Sequence, residues 1–407
     1  MSTPDSSARL RRAAIVSPIR TPVGRFLGGL MDVPAHKLAA HLLRRLVDRT
    51  GLDPAHVEDV ILGHGYPSGE EPAIGRLAAL EAGWPISVPG YQLDRRCGSG
   101  LQSICNAAML VQTGQADVVV AGGADNMSCV EFYTTKARFG SRFGSIDLHD
   151  RLVRARETVQ PEARFGRIPS MVTTAENLAQ EYDISREEQD AYALRSHQRA
   201  VAAQGSGAFD DEIEPLEIPQ RKGDTVRVAK DEGPRADTTL ERLAKLRAIN
   251  EGGTVTAGNA SSQNDAAALC LVVAEDRLEE LGLEPMAFFR GWAVAGCEPA
   301  TMGIGPVPAV AKLTERTGVG LDDIDLIEVN EAFAAQVLAV TKAWGLDDHD
   351  RLNVNGSGIS LGHPIAATGT RIMVSLLHEM KRRNARYGLE TMCIGGGQGL
   401  AALFEAA

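Results

Sequence analysis

Cys97 is a thiol in a setting that suits a nucleophile. It lies in Asp94-Arg95-Arg96-Cys97-Gly98-Ser99-Gly100, between an extended segment and a helix that the pattern predicts to begin near Gly98. A thiolate at a helix N-terminus is stabilised by the helix dipole and by free N–H groups, and glycines let a substrate approach the backbone. Cysteine is also among the most buried residue types, so this segment alone favours a nucleophile and a buried packing residue about equally.

His363 is the histidine whose surroundings best suit catalysis. It stands in Gly362-His363-Pro364, so a constrained loop rather than a helix face places its ring. A neutral imidazole there could accept the proton of Cys97 or donate a hydrogen bond to a carbonyl oxygen. The alternative is a structural histidine bonded to the backbone.

Cys393 and Asn330 each stand at the end of a predicted strand. Cys393 runs into Gly395-Gly396-Gly397, so its thiol could serve as an acid or base while glycine N–H groups form an oxyanion pocket. The alternative is a core cysteine on a central strand. Asn330 precedes a predicted helix, where asparagine is a good cap, or its amide could position a water or a carbonyl oxygen.

The elements that must position these residues alternate between strands and helices. Apolar runs predict strands over 13–16, 60–63, 118–123, 266–274, 288–295, 324–329 and 392–394, and helices over 36–50, 101–113, 331–344 and 372–382. Such alternation predicts an α/β protein with a mainly parallel sheet covered on both faces. Residues 132–253 have few apolar runs and many arginines, and predict an insertion with helices of its own, such as 185–204.

The two ends of the chain echo one another. Segments 59–64, 97–100 and 119–123 are matched, in the same order, by 325–330, 355–358 and 392–396. This self-similarity predicts a duplicated unit, with an N-terminal half over 1–133 completed by about 264–284, an inserted loop domain over 134–263, and a C-terminal half over 285–407. Ligands bind beyond the carboxyl ends of parallel strands, so the site should draw residues from both halves.

Composition narrows the class of protein. The 407 residues carry Lys+Arg 42 and Asp+Glu 53, a formal net charge of −11, which argues against nucleic acid as a partner. No apolar run approaches the ~18 residues that span a bilayer, and no secretion signal is recognisable, so we expect no membrane association. Six cysteines without a CxxC pair predict free thiols in a cytoplasmic protein, and no metal site.

Taken together, seven segments resemble the thiolase family, the acyl-CoA C-acyltransferases. They follow the family order along most of the chain: Cys97-Gly98-Ser99-Gly100-Leu101, Gly122-Gly123-Ala124-Asp125-Asn126-Met127-Ser128, Thr173-Thr174-Ala175-Glu176-Asn177, Ala257-Gly258-Asn259-Ala260-Ser261, Asn330-Glu331-Ala332-Phe333, Gly362-His363-Pro364 and Cys393-Ile394-Gly395-Gly396-Gly397. Each segment alone is weak evidence, but the combination is specific.

The resemblance implies both a fold and a reaction. The fold would be α/β, with five αβαβα layers built from two duplicated halves, mainly parallel mixed sheets and an inserted loop domain. The reaction would be thiolytic cleavage of 3-ketoacyl-CoA, or the reverse Claisen condensation of acyl-CoA units, by ping-pong covalent catalysis in fatty-acid metabolism such as β-oxidation. Coenzyme A would be a substrate, without a metal or organic cofactor, and the assembly would be a homodimer or homotetramer.

The same resemblance implies catalytic roles. Cys97 would carry the acyl group as a thioester. His363 would activate that thiol and, with Asn330 acting through a water, bind the thioester oxygen. Cys393 would move the proton on the α-carbon of the acetyl unit, and the N–H groups of Cys97 and Gly395 would form a second oxyanion pocket.

It also implies contacts with coenzyme A. Ser261 would contact the pantetheine and Arg221 the nucleotide end, while Met171, Ala332 and Phe333 would line the ligand channel.

Two other interpretations stay open. A decarboxylating condensing enzyme related to ketoacyl synthases would share the fold but lack the second cysteine, so Cys393 argues against it. A catalytically silent CoA-binding protein would not need an intact set of Cys97, Asn330, His363 and Cys393.

Overall fold

The computed structural model describes residues 10–219, 223–347 and 349–407. Its strands are β1 (Ala13–Arg20), β2 (Gly24–Arg25), β3 (Asp59–Gly63), β4 (Tyr91–Leu93), β5 (Val118–Asn126), β6 (Phe132–Tyr133), β7 (His149–Asp150), β8 (Leu216–Ile218), β9 (Val226–Val228), β10 (Asn264–Ala274), β11 (Ala287–Gly296), β12 (Leu326–Val329), β13 (Tyr387–Ile394) and β14 (Gln398–Ala406). Its α-helices are α1 (Ala35–Thr50), α2 (Ile74–Glu81), α3 (Ser99–Gln112), α4 (Arg151–Glu157), α5 (Glu162–Phe165), α6 (Met171–Glu181), α7 (Arg186–Gly205), α8 (Leu240–Ala244), α9 (Leu278–Leu281), α10 (Pro306–Thr317), α11 (Ala334–Trp344), α12 (Gly358–Leu361) and α13 (Thr368–Arg383).

Helix α1 shows how the apolar pattern becomes structure. Leu38, Leu42 and Leu46 recur every fourth residue and are buried, because that spacing places side chains on one helix face. Each such burial contributes about 1.5–3 kcal/mol. Gly51 ends the helix in the left-handed region, with φ 67°, where glycine has no steric cost. The buried face packs on β10 and β5.

The two halves of the main sheet have the same strand order. The first half runs β4-β3-β5-β10-β1 and the second runs β12-β13-β14-β11. In each half a parallel pair, β3 with β5 or β12 with β13, is followed by an antiparallel neighbour, β10 or β14. The halves meet where Ala14 and Ile15 of β1 pair with Phe288 and Ala287 of β11. This shared order confirms the predicted duplication.

The expectation of mainly parallel pairing is wrong. Within the described residues, parallel ladders of the main sheet join β3 with β4, β3 with β5, and β12 with β13. Antiparallel ladders join β1 with β10 and β11, β10 with β2 and β5, and β14 with β11 and β13. Strands such as β10 and β14 are covered on both faces and are therefore continuously apolar, which is also the signature of a parallel strand.

Helices on and between the half-sheets complete five layers. Helices α3 and α13 cross between the two halves of the sheet and share one apolar cluster with both. Helices α1 and α2 cover the outer face of the first half, and α10 and α11 that of the second. The central helices touch closely, since a Cβ added at Gly369 would lie 2.6 Å from the Leu101 nitrogen.

The segment 134–263 carries α4 to α8 and the short strands β7 to β9. The predicted helix 185–204 is α7, which Ser185 and Glu188 open with a capping box. Helix α7 packs on α11 and α12, and α6 packs on α11, so this segment contacts the C-terminal half. The boundaries at 133 and 263 stay a prediction. None of the described helices is long and apolar enough to cross a membrane.

Two local predictions differ from the structure near the candidate site. The helix predicted over 331–344 begins at Ala334, and the helix predicted over 372–382 begins at Thr368. Between β12 and α11 the chain is irregular, with the Ala332 N–H bonded to the Asn330 carbonyl at 3.0 Å. Asn330 therefore does not cap α11, whose flanking residue is Phe333, and the capping interpretation is wrong.

Candidate active site

Cys97 sits in a tight turn between β4 and α3. The Asp94 carboxylate accepts the Arg96 N–H at 2.7 Å, and the Ser99 hydroxyl accepts the Arg95 N–H at 2.8 Å. These bonds hold Arg96 at a positive φ of 49°, which is uncommon for a residue other than glycine and is found at functional sites. A Cβ at Gly98 would lie 2.5 Å from Ile394, so the turn presses against the end of β13.

The Cys97 thiol is protonated at rest. Burial raises the pKa of Cys97, although the Arg96 and Arg156 charges and a hydrogen bond from the Gly395 N–H act in the opposite direction. The helix start therefore does not by itself produce a thiolate. Cys97 is half-buried, and a neutral thiol needs a base before it can react as a nucleophile.

His363 is held as a neutral base. Its backbone N–H donates to Asn264 Oδ1 at 2.9 Å, and Gly362 before it has φ 104°, with the Asn264 amide where a Cβ would be. The ring Nδ1 is 2.6 Å from Thr368 Oγ1. Burial, with the Arg371 and Arg156 charges, lowers the pKa of His363 to about 3. The imidazole is therefore uncharged at neutral pH.

The Asn330 amide is buried without a partner. The residue is completely buried, yet neither its side-chain nitrogen nor its oxygen has a hydrogen bond among the described residues. Its backbone N–H donates to the Thr391 carbonyl at 3.0 Å, two residues before Cys393. A Cβ at Gly358 would lie 2.8 Å from the amide oxygen, so one wall beside the amide is backbone.

Cys393 stands at the carboxyl end of β13 in an apolar cluster. Burial, the Cys97 thiol and the Cys297 thiol raise the pKa of Cys393 well above its ordinary value. The cluster contains Ala332 and Phe333, with Met171 packed against it. Cys393 is therefore a neutral thiol that lies close to Cys97.

The predicted CoA contacts fall partly within this cluster. Met171, Ala332 and Phe333 surround Cys393, and the Ser261 N–H donates to the Ala332 carbonyl at 2.9 Å. Arg221 lies outside the described residues. The structure thus brings Ser261 and the three channel residues to the Cys393 side of the site.

The catalytic candidates are linked through β13. The Gly395 backbone acts on the pKa of the Cys97 thiol, Cys393 lies two residues before Gly395, and the Asn330 N–H donates to the Thr391 carbonyl of β13. His363 belongs to the loop whose Ile365 shares an apolar cluster with Cys97. Residues from both halves therefore meet at the carboxyl ends of β12 and β13 and at the start of α3.

Sequence reasoning missed the buried carboxylate beside Asn330. Glu331 accepts hydrogen bonds from Tyr192 at 3.1 Å, Ser196 at 2.6 Å and Asn353 at 3.1 Å, and from the Ile359 N–H at 3.2 Å. These bonds join α7 of the inserted segment to the C-terminal half and fix the chain direction at Asn330. The acidic residue directly after the strand was the only available signal.

A second missed group supports the loop that follows His363. Asp125 accepts the Gly65 N–H at 3.1 Å and the Ala366 N–H at 2.7 Å, and lies 2.9 Å from His64 Nδ1. Burial opposes charge on His64, but the hydrogen bond and charge of Asp125 outweigh it and raise the pKa of His64 to about 9. This pair ties the N-terminal half to the His363 loop.

A third missed group lies beneath the site. Arg371 of α13 donates to the Gly362 carbonyl at 3.4 Å, and Glu328 and Glu390 are direct partners in the β12–β13 ladder. All three are buried. Burial raises the pKa of Glu328 and of Glu390 well above the ordinary value, while Arg371 acts to lower both. Charged residues inside apolar strand patterns could have revealed these carboxylates.

Among the described residues, no group of three or more His, Cys, Asp or Glu side chains is placed to hold a metal ion. A groove of about 1350 Å³ lies between the end of α13 and the turn before β11. It contains none of the predicted site residues.

The structure is of the α/β class, and its candidate site brings two cysteines, a histidine and an asparagine together from both halves. Residues 13–276 match the model of the thiolase N-terminal domain, and residues 283–406 match that of the thiolase C-terminal domain. The acetyl-CoA acetyltransferase of Chromobacterium violaceum is 46% identical over 96% of this chain and 99% of its own.

Solved structures give the same answer. The Bacillus anthracis acetyl-CoA acetyltransferase has a TM-score of 0.94 and 45% identity, over 98% of this chain and 100% of that one. Human mitochondrial 3-ketoacyl-CoA thiolase has a TM-score of 0.92 and 40% identity, with the same coverage. The chain belongs to the thiolase family, so it is an acyltransferase that uses coenzyme A thioesters.

Proposed function

We propose that Cys97 exchanges acyl groups with coenzyme A in two half-reactions, cleaving 3-ketoacyl-CoA or condensing acyl-CoA units in reverse. The observation that carries this proposal is the Asn330 amide, which is completely buried and has no hydrogen-bond partner for either polar atom among the described residues. Leaving such a group unsatisfied costs about 1–3 kcal/mol, so it needs a ligand or an ordered water. A thioester oxygen, reached through a water, supplies that partner.

The first half-reaction begins with a neutral pair. Cys97 gives its proton to His363 Nε2 as the sulfur attacks the ketone carbon of a 3-ketoacyl thioester. The bond between the second and third carbons breaks, the acyl group stays on Cys97, and the departing acetyl-CoA carbanion takes a proton from Cys393. In the second half-reaction CoA gives its thiol proton to the Cys393 thiolate and attacks the Cys97 thioester. The bond from the acyl carbon to the Cys97 sulfur breaks, acyl-CoA leaves, and His363 returns its proton to the Cys97 sulfur.

Two groups of donors stabilise the oxyanions that form in these steps. Asn330, acting through a water together with His363, binds the oxygen of the thioester that becomes an enolate. The N–H groups of Cys97 and Gly395 bind the oxygen at the carbon that the sulfur attacks, and the Gly395 backbone lies close enough to that sulfur to act against the rise in its pKa. Preorganised donors of this kind each contribute about 2.7–4 kcal/mol to the transition state.

Coenzyme A would lie along the Cys393 side of the site. Ser261 contacts the pantetheine, Met171, Ala332 and Phe333 line the channel, and Arg221 meets the nucleotide end. Met171, Ala332 and Phe333 are supported by their common cluster around Cys393, and Ser261 by its backbone hydrogen bond to Ala332. The side chains of Cys97, His363, Asn330 and Cys393 supply the nucleophile, acids, bases and oxyanion donor of the reaction, so we propose that it needs no metal or organic cofactor.

The test separates acylation from carbanion chemistry. Incubation with acetyl-CoA should add one acetyl group to Cys97, measured by intact-protein mass spectrometry, and Cys97→Ala should not be labelled. Cys393→Ala should still be acetylated but should lose exchange of the acetyl α-hydrogens with deuterated water. Labelling of the Cys97→Ala variant at the wild-type rate would refute the nucleophile assignment.

We also propose that the protein assembles as a homodimer or homotetramer. We further propose that it acts in the cytoplasm, in fatty-acid metabolism that includes β-oxidation. Phe139 and Phe143 are 88% and 95% exposed, and large apolar side chains clustered on a surface mark protein contacts. All six cysteines are unpaired, which suits a reducing compartment. Light scattering should give two or four protomers, and a monomer would contradict the assembly.

A further inference from the structure

An apolar wall lies beside Cys97 and is separate from the cluster around Cys393. Tyr66, Met127, Leu152 and Ile365 form it, and Cys97 packs against it. Leu152 comes from α4 of the inserted segment, so this wall joins both halves and the insertion. An acyl group held on Cys97 extends away from the sulfur, and this wall is the surface next to it.

The wall contains a buried hydroxyl whose hydrogen has no acceptor. Tyr66 is 3% exposed, and the Arg156 guanidinium lies close enough to hydrogen-bond its oxygen. A guanidinium only donates, so among the described residues the Tyr66 hydroxyl hydrogen has no acceptor. Burial raises the pKa of Tyr66, while the Arg156 and Arg96 guanidinium groups act to lower it. A buried tyrosine hydroxyl normally finds a partner. The missing acceptor for the Tyr66 hydroxyl hydrogen therefore points to an oxygen atom of a ligand.

Two guanidinium groups face this hydroxyl from different elements. Arg96 lies over the Tyr66 ring, 4.8 Å from its centre, and donates to the Gly65 carbonyl. Arg156, on α4, acts on Tyr66 and also on Cys97 and His363, so it lies near the reacting atoms. Neither side chain is fully exposed.

The protein's own carboxylates pair with these two cations weakly or not at all. Within the described part of the chain, no carboxylate lies within ion-pair distance of Arg156, and the neighbouring Glu157 pairs instead with Arg167 at 3.3 Å. Arg96 has only a loose pair with Asp94 at 3.6 Å. A partly buried guanidinium without an anion is costly, and a carboxylate is the anion whose geometry it matches best.

We propose that Tyr66, Arg96 and Arg156 bind a carboxylate at the far end of the acyl chain, so that the preferred substrates are 3-ketoacyl-CoA thioesters of dicarboxylic acids. The inference rests on the proposed role of Cys97 as the acyl carrier. The phosphates of coenzyme A do not compete for this wall, because the whole pantetheine arm separates them from the thioester sulfur. The matching carboxylate must therefore be part of the acyl group.

The chemical step is unchanged by this binding. Cys97 attacks the ketone carbon, the bond between the second and third carbons breaks, and acetyl-CoA leaves with the proton from Cys393. The ω-carboxyacyl group remains on Cys97 as a thioester, and CoA then releases it as an ω-carboxyacyl-CoA. The distal carboxylate stays ionised throughout and serves only for binding and orientation.

The test compares two substrates of equal length. 3-Oxoadipyl-CoA and 3-oxohexanoyl-CoA differ only in a terminal carboxylate or methyl group, and thiolysis of each gives kcat/KM. The wild-type protein should prefer the carboxylate by at least about tenfold, since hydrogen bonds to charged groups are worth about 1.5–3 kcal/mol. Arg156→Met should lower that preference tenfold or more, Arg156→Lys should restore part of it, and Tyr66→Phe should lower it severalfold.

A matched control comes from the same segment. Arg167→Met removes an arginine that is 68% exposed, and should leave the ratio of the two kcat/KM values within twofold of wild type. If the wild-type protein cleaves 3-oxohexanoyl-CoA with a kcat/KM equal to that for 3-oxoadipyl-CoA, the inference is overturned and the proposed function stays intact. An equal loss on both substrates in Arg156→Met would also overturn it. Failure to cleave either thioester or acetoacetyl-CoA would instead overturn the proposed function.

Discussion

The imidazole of His363 donates its Nδ1 hydrogen to Thr368 Oγ1 across 2.6 Å. The direction follows from the hydroxyl, which donates its single hydrogen to the Pro364 carbonyl at 3.0 Å and so can only accept from the ring. The hydrogen bond at one ring nitrogen sets the state of the other. His363 therefore presents a lone pair at Nε2, which is what a base for the Cys97 thiol requires.

Thr368→Val tests this arrangement. Valine keeps the shape but removes the acceptor, so Nδ1–H loses its partner and the tautomer is no longer fixed. We expect kcat to fall about 10–100-fold, equivalent to about 1.4–2.7 kcal/mol, with little change in KM. Steady-state kinetics measure this, with Thr368→Ser as the control that keeps the hydroxyl. Equal activity of the two variants would contradict the role of the bond.

The resting state of Cys97 and His363 predicts a pH dependence. The pKa of Cys97 is raised and that of His363 is lowered to about 3, so the free enzyme holds a neutral thiol and a neutral imidazole. The thiolate fraction is then small at pH 7 and grows as pH rises towards a value above the ordinary 9.0.

Alkylation of Cys97 by iodoacetamide reports this fraction. Its rate in the free enzyme should rise continuously between pH 6 and pH 9, because thiolate is the reactive form. Peptide mass spectrometry identifies the modified residue, and Cys97→Ala corrects for the other thiols. A rate that is flat across this range would show a preformed thiolate–imidazolium pair and contradict the neutral pair.

The sequence predicted the elements better than the way they pair. Strand positions, the duplication and the convergence at strand ends follow from apolar runs and repeated segments, which are local signals. The antiparallel placement of β10 and β14 does not, because a strand buried on both faces has the same composition in either direction. The start of α11 at Ala334 was also hidden, since Asn330 looks like a helix cap when its neighbours in space are unknown.

Site residues could be predicted where a reactive side chain stands in a local sequence that forms a turn. Cys97, His363 and Cys393 stand beside glycines at element ends. Glu331 and Thr368 were not predictable, because their roles depend on hydrogen bonds to partners that the fold alone brings near. Arg156 was hidden for the same reason, among many arginines of the inserted segment.

Asn330→Leu separates a catalytic amide from a structural one. In the part of the chain that the structure describes, the amide has no hydrogen-bond partner to lose, so an apolar side chain of similar size should leave the melting temperature unchanged or slightly higher. Activity should fall by about 10²–10³-fold, the usual effect of removing one oxyanion donor. Calorimetry and steady-state kinetics on the same preparation measure both. A variant that melts several degrees lower with proportionate loss of activity would indicate a structural role.

The buried carboxyl of Glu390 should make the stability of the protein depend on pH. Its carboxyl is completely buried with no partner for either oxygen among the described residues, and burial raises its pKa well above the ordinary 4.5. The folded state therefore holds this proton more tightly than the unfolded state does. The contribution of this group to the free energy of unfolding is at its maximum below about pH 4.5. It decreases as pH rises towards the pKa in the folded state, by up to about 1.4 kcal/mol per pH unit.

Glu390→Gln removes this loss while keeping the size of the side chain. The free energy of unfolding of the variant should match that of the wild type near pH 5 and exceed it at pH 8. At pH 8 the unfolded wild-type chain gains stability by ionising Glu390, whereas the folded protein keeps this carboxyl buried beside Glu328. Urea denaturation at the two pH values measures the difference. Glu217→Gln, at a carboxylate that is 62% exposed, should show no such trend with pH. A Glu390→Gln variant that is less stable than wild type at pH 8 would mean that Glu390 is ionised and paired with Arg371, opposite to the protonated state inferred from its burial.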